Sequence, residues 1–208
     1  MSPASGESPK NCRRCDLWKH ATQAVEGEGA GAARIMLVGE QPGDEEDLRG
    51  HPFVGPAGRL LDQAIDAAGL VRREIFITNA VKHFKWEPRG KRRLHKKPDV
   101  GEIKACNIWL DQEIRSIQPK VIVALGATAL RALAGKALSV ESARREHLRH
   151  PSGAQILPSY HPSAILRAEG ERAEELRGLL IGDLRRAREC IDAGSRGGPS
   201  QGTPPRED

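Results

Sequence analysis

Carboxylates crowd one short stretch near the start of the chain. Residues 39–47 read Gly-Glu-Gln-Pro-Gly-Asp-Glu-Glu-Asp and directly follow an apolar run at residues 35–38. An apolar run that meets Gly and Pro predicts a buried strand ending in a tight turn. Because functional side chains of open α/β sheets gather at the carboxyl ends of strands, Glu40 and Asp44 are candidate site residues. The alternative is an acidic loop that caps the next helix.

Two later strand ends carry side chains that can bind a polar ligand. Residues 74–78 predict a strand that ends at Asn79, and residues 155–158 predict one that leads into Tyr-His-Pro-Ser, with His161. An Asn amide both donates and accepts hydrogen bonds, which suits it to reading the edge of a pyrimidine. Asn is also a common turn residue, so a purely conformational role is the competing interpretation.

Aromatic side chains are scarce, with three Phe, three Trp and one Tyr in the whole chain. Phe53 lies in a loop at residues 50–58 that is rich in Gly and Pro. A loop of this kind holds its ring either against a ligand or against the core. Both roles stay open at this point.

Residues 82–98 form the most basic stretch of the chain. They contain eight Lys or Arg residues, two aromatic residues and the two histidines His83 and His95. A run of charge is most often a solvated face. Aromatic residues interleaved with cations are also typical of surfaces that bind nucleic acid.

The four cysteines do not suggest disulfides. Cys12 and Cys15 form a C-x-x-C pair, a spacing that brings two thiolates to one metal or cluster. A redox pair has the same spacing, but no strand precedes this one as a thioredoxin-like site requires. Cys106 lies within a predicted helix, and Cys190 lies near the end of the last one.

Composition bounds the class of protein. The chain has 208 residues, a net charge of +5 and a pI near 9.2, which favours a polyanionic partner. No apolar run approaches the roughly 18 residues of a membrane span, and the N-terminus lacks the apolar region of a signal peptide. We therefore expect a soluble, cytoplasmic protein with no membrane partner.

Strands and helices alternate along most of the chain, which predicts an α/β fold with a parallel or mostly parallel sheet. Residues 10–191 are expected to form one domain, between disordered segments at residues 1–9 and 192–208. The predicted strands are residues 34–38, 74–78, 121–125 and 155–158. The main predicted helices are Val100–Ile117 and residues 171–191.

These landmarks, in this order, resemble the uracil-DNA glycosylase superfamily. Residues 39–43 look like its first motif, and residues 160–163 look like its His-Pro-Ser motif. The resemblance covers about residues 10–190, and its motifs are specific in combination. It implies a three-layer α/β/α fold with a central, mostly parallel, four-stranded sheet. It also implies excision of uracil during DNA repair.

Two features resemble a narrower group. Where the iron–sulfur branch of the superfamily usually has a cysteine after the second strand, this chain has His83, and residues 90–98 form a basic insertion. Both look like the group known as family X (UdgX), which attaches itself covalently to uracil-containing DNA. That resemblance implies that His95 attacks C1′ of the deoxyribose. The imidazole then needs a base or acceptor for its other N–H, for which we expect Glu40. We expect Arg93 to orient His95.

The resemblance also assigns the remaining roles. His161 would hydrogen-bond uracil as it leaves, Phe53 would stack on it, and Asn79 would read its edge. The turn at Gln41, Gly43 and Asp44 would hold uracil oxygens. The implied ligands of a [4Fe–4S] cluster, or of zinc as the alternative, are Cys12, Cys15, His83 and Cys106, with Cys190 as the competing fourth ligand. The implied partner is uracil-containing DNA, preferably single-stranded, bound by a monomer that is nucleoid-associated when it acts.

Overall fold

Strand order and direction in the computed structural model, which describes residues 8–196, match the α/β prediction. The strands are β1 (Glu28–Gly29), β2 (Ile35–Gly39), β3 (Phe76–Asn79), β4 (Trp86–Arg89), β5 (Arg92–His95), β6 (Val121–Leu125), β7 (Leu148–Arg149) and β8 (Gln155–Ser159). The α-helices are α1 (Asp44–Arg49), α2 (Pro56–Ala67), α3 (Val100–Ile117), α4 (Ala127–Ala134), α5 (Val140–Ala143), α6 (Pro162–Arg167) and α7 (Gly170–Arg196). Three short 3-10 helices are Pro9–Asn11, Asp16–Lys19 and Arg72–Glu74.

The main sheet has the strand order β1-β3-β2-β6-β8-β7. Its four central strands are parallel, which confirms the predicted mostly parallel sheet. The two edge strands are antiparallel and only two residues long, so the sheet has six strands rather than four. Edge strands this short carry no detectable sequence periodicity. They limit the unpaired backbone that the sheet exposes.

Alternate residues of the central strands face two different helical layers. Met36 and Val38 of β2 pack with α3 and α4, whereas Ile35 and Leu37 pack with α2 and α7. All of β2 is buried, as its uninterrupted apolar sequence predicts for a parallel strand covered on both faces. The result is the expected three-layer α/β/α arrangement.

Helix α3 begins and ends where the sequence predicts. Asp99 caps it in a capping box: its side chain accepts the N–H of Glu102, whose carboxylate accepts the N–H of Asp99. Its end is marked by Gln118, which adopts the left-handed φ of 53°.

The basic stretch is a β-hairpin rather than an irregular loop. Strands β4 and β5 pair antiparallel, with Trp86 opposite His95 and Arg89 opposite Arg92. Gly90 has a φ of 59°, the left-handed conformation that a two-residue hairpin loop requires of its first residue. Charged residues dominate both strands, so the alternation that normally reveals a hairpin is masked.

Both predicted terminal segments extend beyond the described part of the chain. Residues 1–7 and 197–208 lie outside it. Within it, helix α7 continues to Arg196, past the predicted end of the last helix at residue 191. No helix among residues 8–196 is long and apolar enough to cross a membrane.

Candidate active site

The site lies at the carboxyl edge of the four parallel strands. Register places Gly39 of β2 beside Asn79 of β3, and Leu125 of β6 beside Ser159 of β8. Each of these strands therefore ends at the same level, and the residues that follow meet above the sheet edge. This alignment is what brings distant parts of the sequence together.

Glu40 joins the hairpin to the sheet edge. One carboxylate oxygen lies 3.2 Å from Nε2 of His95, and the other accepts a hydrogen bond from the Thr128 hydroxyl. Burial raises the pKa of Glu40, but hydrogen bonds from His95 and Thr128, with a smaller contribution from the charge of His95, outweigh it and lower the pKa overall. Glu40 is therefore ionised at neutral pH and suited to stabilise positive charge beside it.

His161 is held as a neutral imidazole of defined tautomer. Its Nδ1 accepts the backbone N–H of Ser163 at 3.1 Å, where it caps helix α6. Desolvation by burial lowers its pKa to about 4, even though the nearby charge of Glu40 opposes this shift. Because Nδ1 is an acceptor, the proton of the neutral ring lies on Nε2, which becomes a donor.

Asn79, Phe53 and Gly39 form a cradle. Oδ1 of Asn79 is buried and has no hydrogen-bond partner among residues 8–196. A Cβ atom at Gly39 would lie 2.3 Å from that oxygen and 2.6 Å from Cζ of Phe53. The absent side chain of Gly39 thus leaves space for the Asn79 amide and the Phe53 ring to meet. The Phe53 ring also lies near His161, with centroids 5.9 Å apart.

Phe53 adopts a conformation that non-glycine residues rarely take, with φ of 57°. Its carbonyl oxygen would lie 1.7 Å from a Cβ atom at Gly58, so only glycine permits this close approach of helix α2. A strained backbone held by its surroundings is typical of functional sites. The Phe53 ring is buried at the sheet edge. It therefore both packs on the core and borders the cradle.

The Gln41 side chain fastens the base of the hairpin. Its Nε2 donates to the carbonyl oxygens of Lys85 and Lys96, and its Oε1 accepts the N–H of Lys85, each at 3.1 Å. The side chain is therefore fully used by protein, leaving the Gln41 backbone for any ligand contact. Within the described residues, the backbone N–H groups of Gln41 and Gly43 donate to no protein acceptor.

Arg93 lies on the same strand as His95, two residues before it, and is bound to helix α1. Its guanidinium bridges Asp44 at 2.5 Å and Asp47 at 2.6 Å, and desolvation is outweighed by these carboxylates, which raise its pKa. The ring faces of Phe84 and Trp86 lie 5.5 and 5.6 Å from its Cζ. Arg93 thus fixes the whole hairpin against helix α1.

The acidic turn serves several purposes. Gly43 caps helix α1, whose first turn contains Asp44, Glu45, Glu46 and Asp47. Carboxylates at this end of a helix are favoured by its dipole, so the capping interpretation accounts for part of the cluster. Glu46 is buried and accepts the N–H of Gly55, which joins the turn to the Phe53 loop.

Two buried residues were missed from the sequence. Thr128 is the second residue of α4 and gave no signal beyond its position after a strand. The ammonium group of Lys82 is completely buried and donates to the Thr78 hydroxyl, the Asn79 carbonyl and the Glu113 carboxylate, at 2.6, 2.8 and 2.7 Å. It was counted among the solvated charges of the basic stretch.

Three cysteines belong to one layer of the molecule. Cys106 is buried beside α4, and Cys12 and Cys15 pack against the same core. The sulfur of Cys106 accepts the backbone N–H of Lys82, and that of Cys12 accepts the indole N–H of Trp109, both at 3.2 Å. Burial raises the pKa of Cys106 to about 12, with further increases from Cys15 and Cys12.

The other two candidate ligands have different surroundings. His83 is buried, and its pKa is lowered by burial and by Arg13, against the effect of Asp47. Cys190 packs in the layer of α2 and α7, on the opposite face of the sheet from the other cysteines. Among residues 8–196, no three Cys, His, Asp or Glu side chains converge closely enough to hold a single metal ion.

Several known proteins are similar to this chain in sequence. The sequence profile of the uracil DNA glycosylase superfamily matches residues 26–185. The chain is 39% identical over 186 residues to a type-4 uracil-DNA glycosylase of Thermotoga maritima, covering 89% of this chain and 92% of that protein. It is also 39% identical to a type-4 enzyme of Sulfurisphaera tokodaii, covering 86% of this chain and 80% of the relative.

A more distant relative has a different type number. The chain is 32% identical to a type-5 uracil-DNA glycosylase of Pyrobaculum aerophilum, covering 89% of this chain and 83% of that protein. The profile match and the three relatives each span most of the chain, including every strand of the parallel sheet. The chain therefore belongs to the uracil DNA glycosylase superfamily.

Proposed function

We propose that this protein excises uracil from DNA. The observation that carries the proposal is the buried, unpartnered Oδ1 of Asn79 beside the Phe53 ring. A pyrimidine stacked on Phe53 can present its N3 edge to that oxygen. Uracil has an N–H there and satisfies it, whereas cytosine has a lone pair there and opposes it. The relatives with the highest identities above are named as uracil-DNA glycosylases.

The target base must leave the helical stack before it can enter the cradle. This costs roughly a few kcal/mol and least for single-stranded DNA, which we propose as the preferred substrate. The free backbone N–H groups of Gln41 and Gly43 are suited to uracil oxygens. Because one chain supplies every residue of the site, we propose that it acts as a monomer.

Departure of uracil leaves negative charge on the base and positive charge on the sugar. The neutral His161 ring, with its proton on Nε2, is suited to donate to uracil O2 as that charge builds. Ionised Glu40 is suited to the opposite task, stabilisation of the positive sugar. His161 thus stabilises the negative charge on uracil, and Glu40 stabilises the positive charge on the sugar.

We further propose that His95 then becomes attached to the sugar. The bond from C1′ to uracil N1 breaks with its electron pair going to uracil, and an imidazole lone pair forms the new bond to C1′. The contact of His95 Nε2 with Glu40 at 3.2 Å orients the ring, so that Nδ1 forms the bond to C1′ and the Nε2 proton passes to the Glu40 carboxylate, which leaves a neutral N-linked imidazole. Because an N-linked imidazole is a poor leaving group, the adduct persists and each molecule acts once.

Incubation with single-stranded DNA containing one uracil tests this proposal. Wild-type protein should yield a protein–DNA species that survives boiling in detergent, and thymine-containing DNA should yield none. His95→Ser should form no adduct, and water that reaches C1′ should restore slow release of uracil. His147→Ser is the matched control because His147 is exposed, and it should behave as wild type. An undiminished adduct in His95→Ser would exclude His95 as the linking residue.

A conventional, multiple-turnover uracil-DNA glycosylase is the second candidate. It is favoured by the type-4 names of the two 39% identical relatives. It requires that water, rather than His95, reach the sugar. Release of several uracil molecules per protein molecule, with no lasting adduct, would establish this candidate and contradict the first.

We also propose that Cys12, Cys15, His83 and Cys106 hold a [4Fe–4S] cluster. Three of them lie in one layer, and two of the sulfurs accept N–H hydrogen bonds, as cluster ligands commonly do. Sulfur-rich ligation with one histidine suits either an iron–sulfur cluster or zinc, and the resemblance to the iron–sulfur branch of the superfamily favours the cluster. Its role would be to fix the N-terminal segment, with no redox step in the reaction.

A further inference from the structure

A groove with a cavity of about 380 Å³ opens beside the proposed active site. It lies between the end of the hairpin, the start of α3, helix α4 and the segment that follows α4. Its lining includes Lys97, Val100, Ile103, Thr128, Arg131 and Leu138. None of these residues has a role in the reaction proposed above, except Thr128.

Thr128 makes the groove continuous with the reacting groups. It lines the groove and also donates a hydrogen bond to Glu40, whose other carboxylate oxygen lies 3.2 Å from His95. On the hairpin side, Lys97 follows His95 by two residues. A molecule in the groove would therefore lie one side chain away from the nucleotide under attack.

The lining combines apolar surface with unused positive charge. Val100, in the first turn of α3, is 43% exposed. Neither Lys97 nor Arg131 takes part in an ion pair within residues 8–196. The one carboxylate of the lining, Asp99, is already bound to the N–H of Glu102 and lies 3.3 Å from the Lys85 ammonium. The groove thus favours a ligand with one flat apolar face and one negative group.

We propose that this groove binds the nucleotide next to the target uracil on the same DNA strand. The inference rests on the proposed function, because it needs uracil-containing DNA as the substrate. Adjacent nucleotides are joined through a single phosphodiester, so the next nucleotide must lie close beside the site. Extrusion of the uracil leaves its neighbour without a stacking partner. The apolar lining replaces that partner, and Arg131 and Lys97 bind the phosphate.

The size of the groove agrees with a single nucleotide. Pockets that hold small ligands typically have volumes of roughly 300–1,000 Å³. At about 380 Å³, this one lies near the lower end of that range.

Two variants and three substrates test the proposal. Arg131→Gln removes the phosphate contact, and Ala137→Trp fills the groove from an exposed position of its lining. The substrates are single-stranded oligonucleotides with uracil at the centre, at the 5′ end or at the 3′ end. Each terminal substrate lacks the neighbour on one side. Uracil release is measured in a single turnover, which serves whether or not an adduct follows.

Both variants should release uracil from the central substrate about tenfold more slowly than wild type. On one of the two terminal substrates, the one that lacks the bound neighbour, they should match wild type within about twofold. Lys136→Gln is the matched control, because it removes one positive charge five residues from Arg131 but does not line the groove. It should match wild type on all three substrates.

Three results would overturn the proposal. Variants that release uracil as fast as wild type from every substrate would show that the groove is not used. Equal slowing on all three substrates would indicate general attraction or damage to the site, not a nucleotide subsite. Wild-type protein that releases no uracil at all would refute the proposed function itself, and that failure is distinct because no variant is needed to see it.

Discussion

At the scale of single residues, Gly39 governs the cradle through the side chain that it lacks. We expect Gly39→Ala to reduce uracil release at least 100-fold, because its Cβ atom would lie 2.3 Å from Oδ1 of Asn79 and 2.6 Å from the Phe53 ring. The displaced groups cannot hold the base, while the fold should lose only about 1–3 kcal/mol of stability. Single-turnover kinetics and urea unfolding measure the two effects separately.

Gly31→Ala is the matched control for that change. A Cβ atom at Gly31 would meet nothing within 4 Å, so the variant should keep both its activity and its stability. Gly39→Ala with wild-type kinetics would contradict the assignment of the cradle as the base-binding site.

His161 makes stability depend on pH. Its pKa is about 4 in the folded protein because of burial, against about 6.5 in an unfolded chain. Between these values the unfolded chain binds the extra proton, so the stabilisation is complete at pH 7 and declines as the pH falls from 6.5 towards 4. Wild type should lose about 2–3 kcal/mol more than His161→Gln between pH 7 and pH 4.5, measured by urea unfolding.

An exposed histidine provides the control for this titration. His147→Gln should follow the wild-type curve, because His147 lies on the surface. If His161→Gln loses as much stability as wild type over the same range, His161 is not held neutral by the fold.

At the scale of elements, Lys82 ties strand β3 to helix α3. Lys82→Met would leave the Glu113 carboxylate without its buried partner, and we expect a loss of about 3–5 kcal/mol. Adding Glu113→Gln should recover a large part of that loss, because it removes the stranded charge. Urea unfolding of the single and double variants measures the coupling.

The same Lys→Met substitution at a surface ion pair is the control for Lys82→Met. Lys19 pairs with Asp16 at 2.8 Å on the surface, and Lys19→Met should cost less than about 1 kcal/mol. Similar losses for Lys19→Met and Lys82→Met would contradict a structural role for the buried pair.

The elements differ in how far their sequences reveal them. The central strands and α3 could be predicted because apolar runs, capping residues and breakers coincide there. The hairpin could not, because its strands are mostly charged and its stability comes from distant side chains. Gln41 and Arg93 supply those contacts across 44 to 55 residues of sequence. Secondary-structure propensity and hydrophobic periodicity depend only on residues that are close together in the sequence.

The residues of the candidate site also differ in how far the sequence reveals them. Strand ends identified Glu40, Asn79 and His161, because parallel strands must end at a common edge. The residues that hold Glu40 and Asn79 in place could not be predicted. Thr128 and Lys82 act through tertiary contacts that leave no pattern in the sequence. The ion pairs of Arg93 with Asp44 and Asp47 of helix α1 were likewise not predicted, and its orienting role towards His95 stays a prediction.

At the scale of the whole molecule, the cysteine layer should decide how firmly the N-terminal segment is held. We expect Cys106→Ala to lose bound iron and sulfide and to become sensitive to trypsin at Arg13 and Arg14. The reason is that Cys12 and Cys15 would lose the ligand that joins them to α3. Iron analysis and timed digestion measure the two effects.

Cys190→Ala is the control for this change. Cys190 packs on the opposite face of the sheet, so its loss should alter neither iron content nor digestion. Cys106→Ala that keeps a full complement of iron would contradict the proposed ligand set.

The hairpin is a separate two-stranded sheet that shares no strand pairing with the main one. It is joined to the sheet edge by side chains of the turn and of α1, and it carries the one group that would convert hydrolysis into attachment. In evolutionary terms, such an appendage is modular. One insertion could add the hairpin and one deletion could remove it. Gain of the hairpin would change a multiple-turnover enzyme into one that stays attached to its substrate, and loss would do the reverse, while the main sheet stayed the same.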